Sequence, residues 1–274
     1  MTNDATYSGV KLGFIGVGNM GGALARAARR SVPGKCIGLA GRTPERVKDL
    51  AEELDCRASG GIGVAKWADY IFLGVKPQMM PKLLEELKPE LSERQDRFVL
   101  VTMAAGLTMD RIQELAGGAY PVIRIMPNTP ASVGEGMILY TCGEGVTGEE
   151  ERIFLEAMAG AGRFSALPER LIDAGSAVSG CGPAFADLFL EALADGGVAC
   201  GLSRTQAMEL AAQMLLGSAR LALKSKQHPG ALKDAVCSPG GSTIQGVRAL
   251  EAAGFRSAVM EAVIAAYEKT LELK

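Results

Sequence analysis

An apolar run, Lys11-Leu12-Gly13-Phe14-Ile15, passes directly into Gly16-Val17-Gly18-Asn19-Met20-Gly21 and then into an amphipathic segment, Met20–Ala28. Strand, glycine turn and helix in that order constrain the fold more than any other feature of the chain. They make the opening unit of a parallel sheet that binds a dinucleotide at its first turn. The glycine spacing alone carries little weight. With 35 glycines in 274 residues, three at fixed positions arise with a probability of about (35/274)³, roughly 0.002 per site. The chain holds a second match, Gly143-Glu144-Gly145-Val146-Thr147-Gly148. That one feeds a helix opening with Glu149-Glu150-Glu151, whose carboxylates repel a pyrophosphate and complement the helix dipole themselves, so it reads as a turn. The first match follows an apolar strand and opens a helix with no acid before Glu45. Its glycines permit the tight turn, the close approach of a pyrophosphate and the packing of helix on strand.

Short apolar runs then alternate with helical stretches. Strands are expected at Lys11–Ile15, Cys36–Ala40, Tyr70–Val75, Phe98–Met103 and Val122–Met126. Helices are expected at Met20–Ala28, Pro44–Leu54, Pro81–Leu87 and Met109–Leu115. This is the pattern of an α/β, Rossmann-like, doubly wound sheet, assigned to residues 1–168. After Pro168 the strand signal stops, and residues 169–274 read as an all-α domain. Gly182-Pro183 sets a proline at a helix start, and Ser203-Arg204-Thr205-Gln206 has the form of a capping box. A last helix, from about Ser257 to Leu273, is apolar on most of its circumference. Such wide apolar faces exceed what this segment can bury alone; they pack on the sheet domain or form a helical dimer interface.

Hydrophobic residues make up 48% of the chain but aromatic residues only 5%, which favours closely packed helices on a buried parallel sheet. A net charge of −2 gives no electrostatic case for nucleic acid or an anionic membrane. Six scattered cysteines without a CxxC pair, and a single histidine, His228, argue against a metal site and for reduced thiols. The N-terminus lacks a basic segment followed by an apolar one, and no apolar run approaches the roughly 20 residues that span a bilayer. A soluble cytoplasmic protein is the expectation.

The tip of the second strand discriminates between cofactors. An NAD site usually carries an acid there for the ribose 2′-hydroxyl, whereas this chain has Ala40-Gly41-Arg42-Thr43-Pro44. Arg42 and the Thr43 hydroxyl suit a 2′-phosphate, so NADP(H) is preferred and NAD(H) remains open. Thr43 also suits a helix N-cap with Pro44 at the first helical position, and the two roles are compatible. Three further loops end strands where ligands gather: Gly74–Gln78, with Val75, Lys76 and Pro77; Thr102–Gly106, with Ala104, Ala105 and Gly106; and Arg124–Pro130, with Asn128. Each also reads as an ordinary turn.

Two small-residue turns in the C-terminal part suit a small carboxylate. One begins at Ser179; the other is Ser238-Pro239-Gly240-Gly241-Ser242-Thr243. Together with GVKPQ at 74–78, MAAG at 103–106, MPNTP at 126–130, SGCGPAF at 179–185 and HPGALKD at 228–234, these segments resemble pyrroline-5-carboxylate reductase. The resemblance spans nearly the whole chain, and SPGGST with GPAF is its specific part. It implies NAD(P)H-dependent reduction of 1-pyrroline-5-carboxylate to L-proline, the last step of proline biosynthesis, by a homodimer or a larger assembly of dimers. It further implies that Thr243 lies beside the ring nitrogen. The substrate carboxylate would rest on the backbone of Gly240, Gly241 and Ser242, with Ser238 in the same turn and Ser179 opposite. Thr243 also suits a helix N-cap, and His228, before Pro229, suits a turn. Three residues depart from the usual pattern: Cys181 for serine, Phe185 for tyrosine, and Gly61 where many members carry asparagine. Another imine or β-hydroxyacid reductase, or a non-catalytic NADP(H) sensor, remains open. The former usually places a lysine or aspartate on the helix after the nucleotide domain. Here Pro183–Asp195 has no lysine, and Asp187, Glu191 and Asp195 suit a solvated face.

Overall fold

The four residues of β1 (Leu12–Ile15) are buried on both faces, as are those of β2 (Ile37–Ala40). Strands without a polar face belong in the middle of a parallel sheet covered by helices. The computed structural model describes residues 9–272 and shows that sheet. The helices α1 (Asn19–Arg29) and α2 (Pro44–Leu54) flank β2, and a two-residue β3 (Arg57–Ala58) adds to its outer edge. The chain then passes through α3 (Gly61–Trp67) to β4 (Tyr70–Leu73) on the far side of β1. There follow α4 (Met80–Glu93), β5 (Val99–Thr102), α5 (Met109–Ala116) and β6 (Val122–Met126). The sheet closes with β7 (Gly136–Cys142), α6 (Gly148–Ala157) and β8 (Gly162–Ala166).

The strand order is β3-β2-β1-β4-β5-β6-β7-β8, parallel throughout except for the antiparallel β6–β7 pair. Winding reverses between β1 and β4, and the register aligns Ile15 with both Ala40 and Leu73. The carboxyl ends of these three strands therefore stop at one level, and the crevice above such a reversal is where open α/β sheets bind ligands.

The expected strands are all present, several of them shorter by a residue or two. Three further strands and one helix were not expected. In α3 the sequence is glycine-rich, and the helix exists because Val64 and Ala65 are buried against β1. Gly13 allows that contact: a methyl group there would lie 2.4 Å from Val64 Cγ1. The expected end of α4 at Leu87 falls short, because the helix continues through Pro89. Leu87 and Leu91, one turn apart, are both buried, and that packing outweighs the bond proline removes.

Beyond β8 the chain is helical: α7 (Glu169–Ser179), α8 (Gly182–Ala199), α9 (Arg204–Ser225), α10 (Pro229–Val236), α11 (Ser242–Ala252) and α12 (Phe255–Leu271). Contacts divide the chain after Gly180. Residues Cys181–Ala266 form one compact unit, and the sheet with α7 and the end of α12 forms the other. The sequence places α7 with the helices, beginning at residue 169, but side-chain chemistry ties it to the sheet. Arg124 of β6, with its side chain 2% exposed, pairs with Asp173 at 2.6 Å and Glu169 at 3.3 Å.

The segment Glu169–Ala199 is long and apolar enough to cross a membrane by length and composition alone, contrary to the expectation that no run approaches that length. It spans α7 and α8 with the non-helical Gly180 and Cys181 between them, so the sequence shows two short segments there. Within the helical unit Ala194, Ala207 and Ala211 are buried, while Leu188 (69% exposed), Leu210 (59%) and Met260 (59%) are not.

Candidate active site

The glycine loop after β1 uses each of its glycines differently. Gly16 is left-handed (φ 102°), and a methyl group on it would meet the Gly74 carbonyl at 2.6 Å. Its N–H donates to Ala40 O at 2.8 Å, tying the loop after β1 to the end of β2, and the Gly74 N–H donates to Ile15 O at 2.7 Å, tying the loop after β4 to the end of β1. A methyl on Gly21 would lie 2.1 Å from the Gly16 carbonyl oxygen. Gly18 is the N-cap of α1 and has nothing within 4 Å of the place a side chain would take. No side chain caps α1, and its first turn holds no acid. The open position and the free N–H groups together fit a pyrophosphate.

Two cavities, of about 480 Å³ and about 630 Å³, share Gly18, Arg42, Arg46, Val75 and Lys76 and so make one continuous groove over the carboxyl edge of the sheet. Gly16, Val17 and Thr43 line the first part; Asn19, Met20, Pro77 and Ala105 line the second, with Met103, Met126 and Pro127. A third cavity, of about 300 Å³, adjoins it and reaches Gly61, Lys82 and Leu83. At Gly61 a methyl would make only ordinary contacts, 3.8 Å to Ile15 and 3.9 Å to Leu87. Thr43 is the N-cap of α2 with Pro44 at the first helical position, but its hydroxyl does not close the cap. Arg42, Thr43 and Lys76 engage no side-chain partner among the described residues.

Four expected contacts do not line the groove. Gly21 is used in packing, and Ala104 is buried with its N–H directed at Thr102 Oγ1. Gly106 adopts φ 76° and makes the turn after β5. Asn128 is committed to the fold: its Oδ1 accepts from the Met137 N–H at 2.9 Å, and its Nδ2 donates to the Ser179 carbonyl at 2.9 Å. Ser179 Oγ in turn donates to Gly175 O at 3.1 Å. Met103, Met126 and Pro127 lie in the loops expected to gather ligands, although not named as contacts, and Arg46 was missed. Arg46 had a signal, its place four residues after Arg42 at the start of the helix; the signal for the methionines was their position in loops that end strands.

The second glycine match is a turn, closed by the Val146 N–H on Gly143 O at 3.0 Å. It enters α6 through a capping box between Thr147 and Glu150, which occupies the N–H groups an anion would need. Burial pushes the Glu150 carboxyl up, but the Arg97 guanidinium and the Thr147 N–H and hydroxyl outweigh it and hold the group below its ordinary range.

In the helical unit, Ser238–Gly241 forms a turn with the Gly241 N–H on Ser238 O at 3.0 Å. Pro239 and the left-handed Gly240 (φ 70°) occupy its two central positions, as a type II turn requires. Gly241 is the N-cap of α11, and no side chain closes that cap. Thr243 is therefore not the cap, which corrects that reading; it is the second residue of the helix. The hydroxyls of Ser238, Ser242 and Thr243 have no partner among the described residues, and all three residues are exposed. His228 caps α10, its Nδ1 accepting from the Gly230 N–H at 3.1 Å, in keeping with a turn. Asp187, Glu191 and Asp195 are exposed. The six cysteines are free thiols.

Comparison with known proteins adds the following. The family profile for pyrroline-5-carboxylate reductase dimerisation matches residues 169–273, and the profile for NADP oxidoreductase, coenzyme F420-dependent, matches residues 11–106. A pyrroline-5-carboxylate reductase of Arabidopsis thaliana is 41% identical over 266 residues, 96% of this chain and 95% of that one. The protein of that name from Escherichia coli (strain K12) is 42% identical over 267 residues, 96% of this chain and 98% of that one. Among solved structures, Plasmodium falciparum pyrroline carboxylate reductase with NADP bound superposes with a TM-score of 0.86 at 33% identity, covering 96% of this chain and 97% of that one. The Streptococcus pyogenes 1-pyrroline-5-carboxylate reductase gives 0.86 at 31%, covering 97% of this chain and 100% of that one.

Proposed function

The chain belongs to the pyrroline-5-carboxylate reductase family, and we infer that it reduces 1-pyrroline-5-carboxylate to L-proline with NAD(P)H. One observation carries the substrate half of this reading. The start of α11 joins a left-handed Gly240, an unclosed glycine cap and three hydroxyls with no partner among the described residues. Free N–H groups at a helix start attract a carboxylate, so Gly240, Gly241 and Ser242 hold the substrate's, with Ser238 and Ser179 as further contacts. A cyclic iminium is already an electrophile, which explains why the reaction needs neither a metal nor a Ser–His–Asp set. The Thr243 hydroxyl, one residue into the same helix, keeps the ring nitrogen protonated and is the catalytic side chain.

The nicotinamide cofactor supplies the hydride. Gly16, Val17, Gly18, Asn19 and Met20 hold its pyrophosphate, and Arg42 with Thr43 selects the 2′-phosphate. Val75, Lys76, Pro77 and Ala105 form the walls, while Gly21, Ala104, Gly106 and Asn128 act by shaping these loops. Cofactor binding is assigned to residues 1–168, and substrate binding with dimerisation to 169–274. The dimerisation profile, which starts at residue 169, supports that division. A homodimer, alone or built into larger rings, accounts for the apolar faces left open on α8, α9 and α12. The scattered free thiols support a reducing, cytoplasmic setting.

Oxidation of NADPH, followed by its absorbance on adding 1-pyrroline-5-carboxylate, tests the reading. Turnover dependent on that substrate and yielding proline is expected. Turnover with a β-hydroxyacid but none with the imine would replace the substrate assignment, and binding of NADPH without any turnover would leave a cofactor sensor.

A further inference from the structure

Most arginines of the sheet unit end on a carboxylate or a backbone carbonyl: Arg26 on Glu53, Arg94 on Asp96, Arg97 on Glu150, Arg29 on Leu54 O. Arg42 and Arg46 do not, although both line the groove beside Gly18. Glu45 lies between them in sequence, yet it pairs with neither and lines no part of the groove. Arg46 has one fixed contact. Its Nη2 donates to Asn19 Oδ1 at 3.0 Å, tying the third residue of α2 to the first residue of α1. A guanidinium has five donors, so four stay available on a group whose position is already set. Beside it, Thr43 leaves the α2 cap open, and the first helical bond there, Val47 N–H to Thr43 O at 3.2 Å, leaves the Glu45 and Arg46 N–H groups unused.

We infer that Arg46 is a cofactor-specificity residue: with Arg42 it forms a two-guanidinium seat for one phosphate monoester, and Asn19 holds it there. This rests on the assignment of the groove to NADP(H) and deepens it. Two cations beside the tip of β2, neither paired with an acid, repel one another until a dianion joins them. A phosphate monoester at neutral pH carries about −1.5 to −2 charge, which matches the pair. A 2′-hydroxyl offers no such charge. Arg42 is the half of the seat with no fixed partner among the described residues; Arg46 is the half organised in advance through the loop that holds the pyrophosphate.

Calorimetric titration of the full chain with NADPH, NADH, 2′,5′-ADP and 5′-AMP tests the seat without using turnover. Arg46→Gln should weaken NADPH and 2′,5′-ADP at least about tenfold, the size of one charge-assisted contact, and leave NADH and 5′-AMP within about twofold. Arg42→Ala should do the same. The double variant should lose less than the product of the two single losses, since both arginines meet one group. Equal weakening of NADPH and NADH by Arg46→Gln, or none, overturns the inference while leaving the Arg42 assignment intact. A plain product in the double variant also overturns it, because the arginines would then meet different groups. Wild-type protein that binds 2′,5′-ADP no better than 5′-AMP removes the NADP(H) reading and the seat with it. Circular dichroism of each variant separates misfolding from these outcomes.

Discussion

At Gly18 the missing side chain serves a ligand, whereas at Gly16 and Gly21 it serves the chain itself. The difference makes a prediction from geometry alone. Gly21→Ala sets a methyl against the Gly16 carbonyl and should cost about 1–3 kcal/mol of stability, read by urea denaturation. Gly18→Ala meets nothing within 4 Å, so stability should hold while NADPH affinity falls. An unchanged affinity would show that the loop does not meet the pyrophosphate. Arg42→Ala should lose about 1.5–3 kcal/mol of NADPH binding and little of NADH binding; equal losses would sink the 2′-phosphate assignment. Thr243→Val keeps the shape of the side chain and removes its hydroxyl, so kcat should drop with NADPH affinity intact. Unaltered turnover would mean that solvent supplies the proton. The glycines and Arg42 were legible in the sequence because strand, turn and helix are local. The contacts of Arg46 and Asn128 within the fold were not legible, since what they touch lies 27 and 51 residues away.

Among the elements, α7 departs most from what the sequence implies. Its composition matches the helices that follow, yet its polar residues bind it to the sheet: Asp173 and Glu169 on Arg124 at one end, the Ser179 carbonyl on Asn128 at the other. Arg124→Met should destabilise the protein by about 3–5 kcal/mol, because Asp173, itself 3% exposed, stays buried without its arginine. A loss under about 1 kcal/mol would show that water reaches Asp173 freely. The five central strands were legible because each is a short run of apolar residues buried on both faces. β7 and β8 were missed for other reasons. They lie at the end of the sheet, β8 is half-buried and carries the exposed Arg163, and their pairing is set by contacts distant in sequence. The turn at Ser238–Gly241 was legible because Pro-Gly in that order leaves the backbone few alternatives.

For the whole molecule, the open question in the sequence was what covers the apolar helices, the sheet domain or a second copy. Charges set on α12 distinguish the two. Val263 and Ala266 are half-buried within the chain, so replacing them would disturb the subunit itself. Met260 (59% exposed) and Ile264 (46%) sit one turn apart and are free of that objection. Met260→Asp with Ile264→Glu should leave the sheet unit folded, halve the mass seen by light scattering and abolish turnover. A double variant of unchanged mass and activity would refute the dimer. If these faces are covered only by a second copy, folding and association share one equilibrium, and protein concentration becomes a thermodynamic variable. The melting midpoint should then climb with concentration, and activity per subunit should decline on dilution even with cofactor and substrate saturating. Dilution would act on this enzyme as an inhibitor does.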